Sequence, residues 1–210
     1  ANKFCINFHG NACDVGQISI CAEKEGLAFN AHYLLVEYPR FGVADGHPNE
    51  CSLNDMARSV YNFVVAEFKL KPSEIVLLGR SIGTGVACEL ASRLQLEDTP
   101  PASLILQSPY SSIRDITFDL LGCVNLFLLD RWQSWRRLIG TKDDKSVIRC
   151  PVLFIHADGD RVISCNHSIL MHEYRTRSDL KSELFIQKSD SVFIKGHNFF
   201  DYERDVVLPS

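Results

Sequence analysis

From Glu74 to Ala91 the chain reads Glu-Ile-Val-Leu-Leu-Gly-Arg-Ser-Ile-Gly-Thr-Gly-Val-Ala-Cys-Glu-Leu-Ala. Four apolar residues lead into Gly79-x-Ser81-x-Gly83 and a helix-like run follows, which places Ser81 on a sharp turn from strand to helix. Such a turn requires small residues two positions before and two after the serine, because strand and helix close on each other there. Gly79 and Gly83 meet that demand. The turn also leaves Ser81 at a helix N-terminus, where free backbone N–H groups face outward and favour negative charge. A strand, glycine-rich turn and helix could instead cradle a phosphate, but the segment has neither Gly-x-Gly-x-x-Gly nor Gly-Lys-Ser/Thr.

The same alternation of apolar runs and helix-period segments extends over the chain. Lys3 to Phe8, Tyr33 to Val36, Ala102 to Gln107, Pro151 to Ile155 and Glu183 to Gln187 read as further strands. They are continuous rather than alternating, as expected of a parallel sheet covered on both faces. Helices are expected from about Asp14 to Glu25, from Ser52 with Leu53, Met56, Val60, Phe63 and Val64 inward, and from Asn166 to Arg175. A short terminal helix is expected after Gly196. The predicted fold class is α/β, a doubly wound, mostly parallel sheet with helices on both faces. At 210 residues one domain accounts for the chain.

Residues 109–150 are longer than a plain crossover requires and form a cap-like insertion. Leu128, Trp132, Trp135 and Ile139 recur at helical spacing within it, with Arg131, Arg136 and Arg137 between them. Two readings stand side by side. One is a cap that offers an apolar cleft to an acyl chain, and the other is an amphipathic helix packed on the sheet.

Composition excludes several alternatives. No run approaches the roughly 20 apolar residues of a membrane span, and a net charge of −4 gives no electrostatic case for nucleic acid or an anionic membrane. The eight cysteines are scattered without Cys-x-x-Cys spacing. They read as reduced, mostly buried thiols, which suggests a cytosolic compartment. The N-terminus begins almost at once on a strand without an initiator Met, so an upstream segment is expected to have been removed.

A serine hydroxyl is a weak nucleophile, so Ser81 needs a base within hydrogen-bond reach and the base needs an orienting carboxylate. In a fold of this class the order is serine, acid, histidine, each on a loop at the carboxyl end of a strand. His197, next to Gly196 on a loop, is the expected base. His167 and His172 fall inside a predicted helix, and His9, His32, His47 and His156 precede the acid and default to structural roles. Asp158 and Asp160 compete for the acid. Asp160 is preferred, because Asp158 precedes Gly159 and is suited to bracing the turn. His156-x-Asp158-x-Asp160 lacks a second histidine pair at ligand spacing, so no metal is expected. Two backbone N–H donors should form the oxyanion hole, that of Ile82 and that of Asn11, with Ala12 as second choice.

With His9-Gly-Asn, the Gly-x-Ser-x-Gly turn, His156-x-x-x-Asp160 and Gly196-His-Asn in this order, the chain resembles the α/β-hydrolase superfamily. More narrowly, His9-Gly-Asn-Ala-Cys-Asp-Val-Gly-Gln17, Gly42-Val-Ala-Asp-Gly-His-Pro-Asn-Glu50 and Leu78-Gly-Arg-Ser-Ile-Gly-Thr-Gly85 look like the subgroup that includes eukaryotic protein depalmitoylases. The resemblance implies Ser81, Asp160 and His197 as a catalytic triad, no cofactor, and an acyl ester or thioester substrate that can be an acylated protein. It also implies that the first visible strand is the fold's third, so that two strands are missing from residues 1–210. Membrane association is then expected only through an upstream region not present here, and location in the cytoplasm or at the cytosolic face of a membrane. Peptidase, small-ester carboxylesterase and non-catalytic ligand-binding readings remain as alternatives.

Overall fold

The computed structural model describes residues 3–11, 13–121, 131–140 and 144–188, with the side chains of 118–121 left out. Strand β1 (Lys3–Phe8) is followed by α1 (Val15–Ala28), β2 (Ala31–Val36), α2 (Glu50–Phe68), β3 (Ile75–Arg80), α3 (Ile82–Leu96) and β4 (Ser103–Gln107). Then come α4 (Ile113–Leu121), α5 (Ser134–Leu138), β5 (Val152–Ala157), α6 (Asn166–Arg177) and β6 (Ser182–Gln187). The strands form one parallel sheet in the order β2-β1-β3-β4-β5-β6. The first crossover steps to one side of β1 and the later ones to the other. Right-handed crossovers therefore put α1 on one face and α2, α3 and α6 on the opposite face. The carboxyl ends of β1 and β3, where the direction of winding reverses, flank the crevice that sheets of this kind use for ligands.

Register explains the core. Ile6, Leu77, Leu104 and Val152 are successive partners across four strands, and all are buried. The next row towards the carboxyl ends is Phe8, Gly79, Leu106 and Phe154. Its one residue without a side chain, Gly79, lies where α3 begins. Helix α3 fills the space above with Val86, Ala87, Leu90, Ala91 and Leu94, all buried. The largely apolar runs of β1 and β3 thus reflect a sheet with no solvent face at its centre.

Local chemistry shifts one predicted boundary. Helix α2 begins at Glu50, not Ser52, with Asn49 as its cap: Asn49 Oδ1 accepts from the Ser52 N–H at 2.9 Å, and Ser52 Oγ accepts from the Asn49 N–H at 3.0 Å, a reciprocal cap. Ser52 is therefore the third residue inside the helix. The fully inward stripe is Leu53, Ala57, Tyr61 and Val64, with Met56 and Val60 partly buried against the core, while Phe63 is 56% exposed.

Within 109–150, the described part of the insertion after residue 130 packs against α2 and α3. The Trp132 N–H donates to Glu50 Oε1 at 2.9 Å and its indole N–H to Asn54 Oδ1 at 3.2 Å. Arg137 pairs with Glu89 of α3 at 3.1 Å. Trp135, in contrast, is 38% exposed beneath the Arg136 guanidinium. Trp132 adopts a left-handed backbone (φ 41°) just before α5, so the helical spacing reaches only Ser134–Leu138. Leu128 lies outside the described residues. Arg175 on α6 locks this region down from within. It is fully buried and donates to the carbonyls of Leu138, Ile148, Cys150 and Lys181. Burial lowers its guanidinium to about 10, an effect the Cys150 and Cys88 thiols oppose.

All seven described cysteines are free; Cys123 lies outside the described residues. Cys5, Cys88 and Cys150 are buried, whereas Cys21 and Cys51 are exposed, so "mostly buried" overstates the case. Burial pushes the Cys5 and Cys88 thiols up to about 12 and the Cys150 thiol up to about 11. A thiol held neutral in the fold ionises first in the unfolded chain. Its stabilising contribution is complete below the ordinary value of 9.0 and is lost between that value and the folded one. Urea unfolding across this range should show stability declining above pH 9, with a shallower decline in Cys88→Ala; equal slopes for the two proteins would contradict this account.

Candidate active site

Ser81 joins β3 to α3 with φ 51° and ψ −121°, a conformation that L-residues rarely adopt. Such backbone strain costs on the order of 1–3 kcal/mol and persists only where the surroundings over-determine it. Here the Ser81 N–H donates to Gln107 O at the end of β4 (2.9 Å), and Ser81 O accepts from the N–H and hydroxyl of buried Thr84 at 2.9 and 2.6 Å. Packing permits nothing larger at the flanking positions. A Cβ on Gly79 would lie 2.5 Å from Gly83 O, and a Cβ on Gly83 would strike the Phe8 carbonyl. Helix α3 therefore presses directly on the backbones of β1 and β3. The hydroxyl of buried Tyr110 donates to Ile82 O at 3.3 Å, and a Cβ on Gly85 would collide with it.

The residues expected to supply the oxyanion donors lie on the two segments that meet at this turn. Ile82 is the first residue of α3, and its N–H has no acceptor within the helix. The loop after β1 runs beside the serine, and a Cβ built on Gly10 would lie 3.5 Å from Ser81 Cβ. Asn11 follows on the exposed side of that loop, and Ala12 lies outside the described residues.

Two strands away, at roughly 10 Å by ordinary strand spacing, β5 delivers Asp160 to the same rim. Its side chain is wholly buried. Oδ1 accepts from the N–H groups of Val162 and Ile163 at 2.9 and 3.0 Å, and Oδ2 lies 3.3 Å from His156 Nε2. His156 Nε2 also lies 3.0 Å from Ile163 O, while Nδ1 faces Ser168 Oγ at 2.7 Å. Its ring is therefore committed to the turn and is not presented as a metal ligand. Asp158 is placed differently: it is exposed, its N–H donates to Gln187 O at 3.0 Å, and its carboxylate is 3.9 Å from Lys188 Nζ. His197 lies outside the described residues. The geometry thus brings together Ser81, Ile82 and the Asn11 loop, and sets Asp160 on the same edge of the sheet.

Sequence reasoning undervalued His167. It is the second residue of α6, and this helix starts on the same rim, so a helical position does not carry the side chain away from the strand ends. His167 Nδ1 lies 2.8 Å from Ser111 Oγ, which in turn lies 2.5 Å from Asp115 Oδ2. These three residues, with Asp158, Asp160 and Arg161, border a cleft of about 670 Å³. The spacing Ser111-x-x-x-Asp115 at the start of α4 was the signal available for two of them; His167 joins them only in three dimensions. Gly83→Ala should lower the unfolding midpoint sharply, because the new methyl meets backbone carbonyls that cannot give way; a midpoint equal to wild type would show that α3 can lift off the sheet.

Comparison with known proteins supports the fold. The chain matches no family model. It is 30% identical over 173 residues to α/β hydrolase domain-containing protein 17C of Xenopus tropicalis, covering 82% of this chain and 51% of that protein. It is 29% identical over 169 residues to lysophosphatidylserine lipase ABHD12 of Danio rerio, covering 75% of this chain and 43% of that protein. Among solved structures, the α-β hydrolase from Vibrio vulnificus superposes with a TM-score of 0.67 at 19% identity, over 90% of this chain and 66% of that one. Sheet order, parallel crossovers and the strained serine turn define an α/β hydrolase. The chain belongs to the α/β-hydrolase superfamily, with relatives described as α/β-hydrolase domain-containing proteins. It spans about half the length of the curated relatives it matches.

Proposed function

We propose that the chain carries the catalytic domain of a serine hydrolase that cleaves carboxylic esters or thioesters through Ser81, His197 and Asp160. The observation that carries this reading is the backbone of Ser81, held at φ 51° at the mouth of α3 beside the Gly10 loop. A half-buried serine on a strained backbone at a helix N-terminus suits attack of its hydroxyl on a carbonyl carbon. His197 takes the hydroxyl proton as the bond forms, and Asp160 keeps the imidazole in the tautomer that can do so. The Ile82 and Asn11 N–H groups receive the oxyanion. His197 then protonates the leaving group, and water activated by the same imidazole releases the acyl group. Asp160 is suited to the supporting role because its turn already fixes both carboxylate oxygens.

The proposed substrate is a long-chain acyl thioester on a protein, reached at the cytosolic face of a membrane through chain outside residues 1–210. Among the described residues no helix is long and apolar enough to cross a membrane. A second reading, a lysophospholipid ester, is favoured by the similarity to a lysophosphatidylserine lipase and by the polar border of the cleft beside Asp160.

Acyl thioesters and acyl esters of graded chain length separate these readings. Ser81→Ala should abolish turnover and fluorophosphonate labelling with the fold intact. Asp160→Asn should lower kcat by about 10³–10⁴-fold, while Asp158→Asn stays near wild type. Turnover that survives in Ser81→Ala, or a larger loss from Asp158→Asn than from Asp160→Asn, would refute the assignment.

A further inference from the structure

Glu37, the first residue after β2, is half-buried beside the oxyanion loop and belongs to none of the roles above. One of its oxygens, Oε1, lies 2.9 Å from His9 Nε2 and accepts from the Tyr38 N–H at 3.2 Å. The other, Oε2, accepts from the Val15 N–H at 3.1 Å, at the first residue of α1. A carboxylate accepts only, so the His9 nitrogen facing it carries the proton. A single side chain therefore spans the loop that presents Asn11, gripping its entry at His9 and its exit at Val15. The favourable end of the α1 dipole strengthens the second grip.

The surroundings leave that carboxylate little freedom. His9 is buried and packs against the rings of Tyr38 (4.2 Å) and Phe41 (5.7 Å), which also touch each other, and the Tyr38 hydroxyl donates to His9 O at 2.7 Å. Burial raises Tyr38 well above its ordinary value, so the hydroxyl remains a donor. Gly42, at φ 50°, brings the following loop so close that a Cβ there would lie 2.5 Å from Glu37 Oε2. The strut ends beside the nucleophile, since Gly10 follows His9 and backs onto Ser81.

We infer that Glu37 is a positioning residue for the oxyanion hole: by holding His9 and Val15 together it aims the Asn11 N–H at the developing charge. This rests on the reading of Ser81 as nucleophile. An oxyanion donor contributes chiefly in the transition state, so displacing it lowers kcat rather than raising KM.

Glu37→Gln tests the inference. A glutamine offers one acceptor oxygen and an NH₂ donor, so if its oxygen keeps the Val15 N–H its NH₂ can meet His9 Nε2 only after the imidazole proton moves to Nδ1, which faces Gly10 O at 2.9 Å, and the carboxylate's grip on the His9 Nε2–H is lost. With acyl esters, kcat should fall about 10- to 100-fold with KM within about threefold, at an unchanged melting temperature. Unchanged kcat, or a loss confined to KM, overturns the proposal. Should Glu37→Gln fail to fold, Tyr38→Phe removes the hydroxyl from His9 O and must lower kcat with KM held; unchanged kcat there overturns it equally. Proton and ¹⁵N NMR supply a readout that needs no turnover: the downfield His9 Nε2–H and the Asn11 and Val15 amides should shift together in Glu37→Gln, and unmoved resonances would refute the strut. Wild-type protein that hydrolyses no ester yet shows these coupled shifts would sink the proposed function and leave the strut standing.

Discussion

Everything at the carboxyl-end rim around Ser81 depends on how closely α3 approaches the sheet. Gly79 and Gly83 remove the two methyl groups that would hold helix and strands apart, and the helix N-terminus settles against the Phe8 carbonyl. Once that contact is made, the residue between strand and helix has almost no conformational choice. Ser81 is forced to a positive φ, the Ile82 N–H opens towards the crevice, and hydrogen bonds from Thr84 and to Gln107 keep the turn from relaxing. Close packing of backbone on backbone thus places one half-buried hydroxyl beside an N–H group that the helix leaves without an internal acceptor.

Two buried or half-buried carboxylates then organise the loops on either side. Asp160 is fixed by the Val162 and Ile163 amides and by His156, all within its own turn, so that loop is braced locally. Glu37 works over longer range and ties the end of β1 to the start of α1 from the neighbouring strand. The difference follows from topology. The β5 loop returns into α6 on the strand's own side, whereas the β1 loop opens at the point where the winding reverses and gains its support from β2.

The rest of the α2/α3 layer explains why the insertion is better anchored than its length suggests. Trp132 reaches both Glu50 and Asn54 on α2, and Arg175 meets four carbonyls from the opposite side. Each terminal nitrogen of this guanidinium donates to two carbonyls, which offsets much of the cost of burying it without a carboxylate, although Nε has no partner among the described residues. Residues 131–140 therefore pack beside the helical layer of α2 and α3.

The strands and the serine turn were legible from residues 75–85 and from the other apolar runs, because a centrally buried parallel strand and a backbone-on-backbone contact each demand particular residue types locally. Helix starts were less legible. The cap of α2 rests on Asn49, where asparagine and serine exchange hydrogen bonds, and a serine three residues later offered an equally acceptable signal. Preference for Asp160 over Asp158 came from turn logic, but the burial that separates the two carboxylates arises only when β5, β6 and α6 pack around them. His167 meeting Ser111 and Asp115, and Glu37 spanning His9 and Val15, left no periodic trace at all. Sequence by itself determined which segments must be strands and where the chain must turn tightly, since those depend on neighbours along the backbone. Tertiary structure alone decided which polar side chains meet across the rim, because hydrogen bonds between residues tens of positions apart depend on strand order and crossover direction.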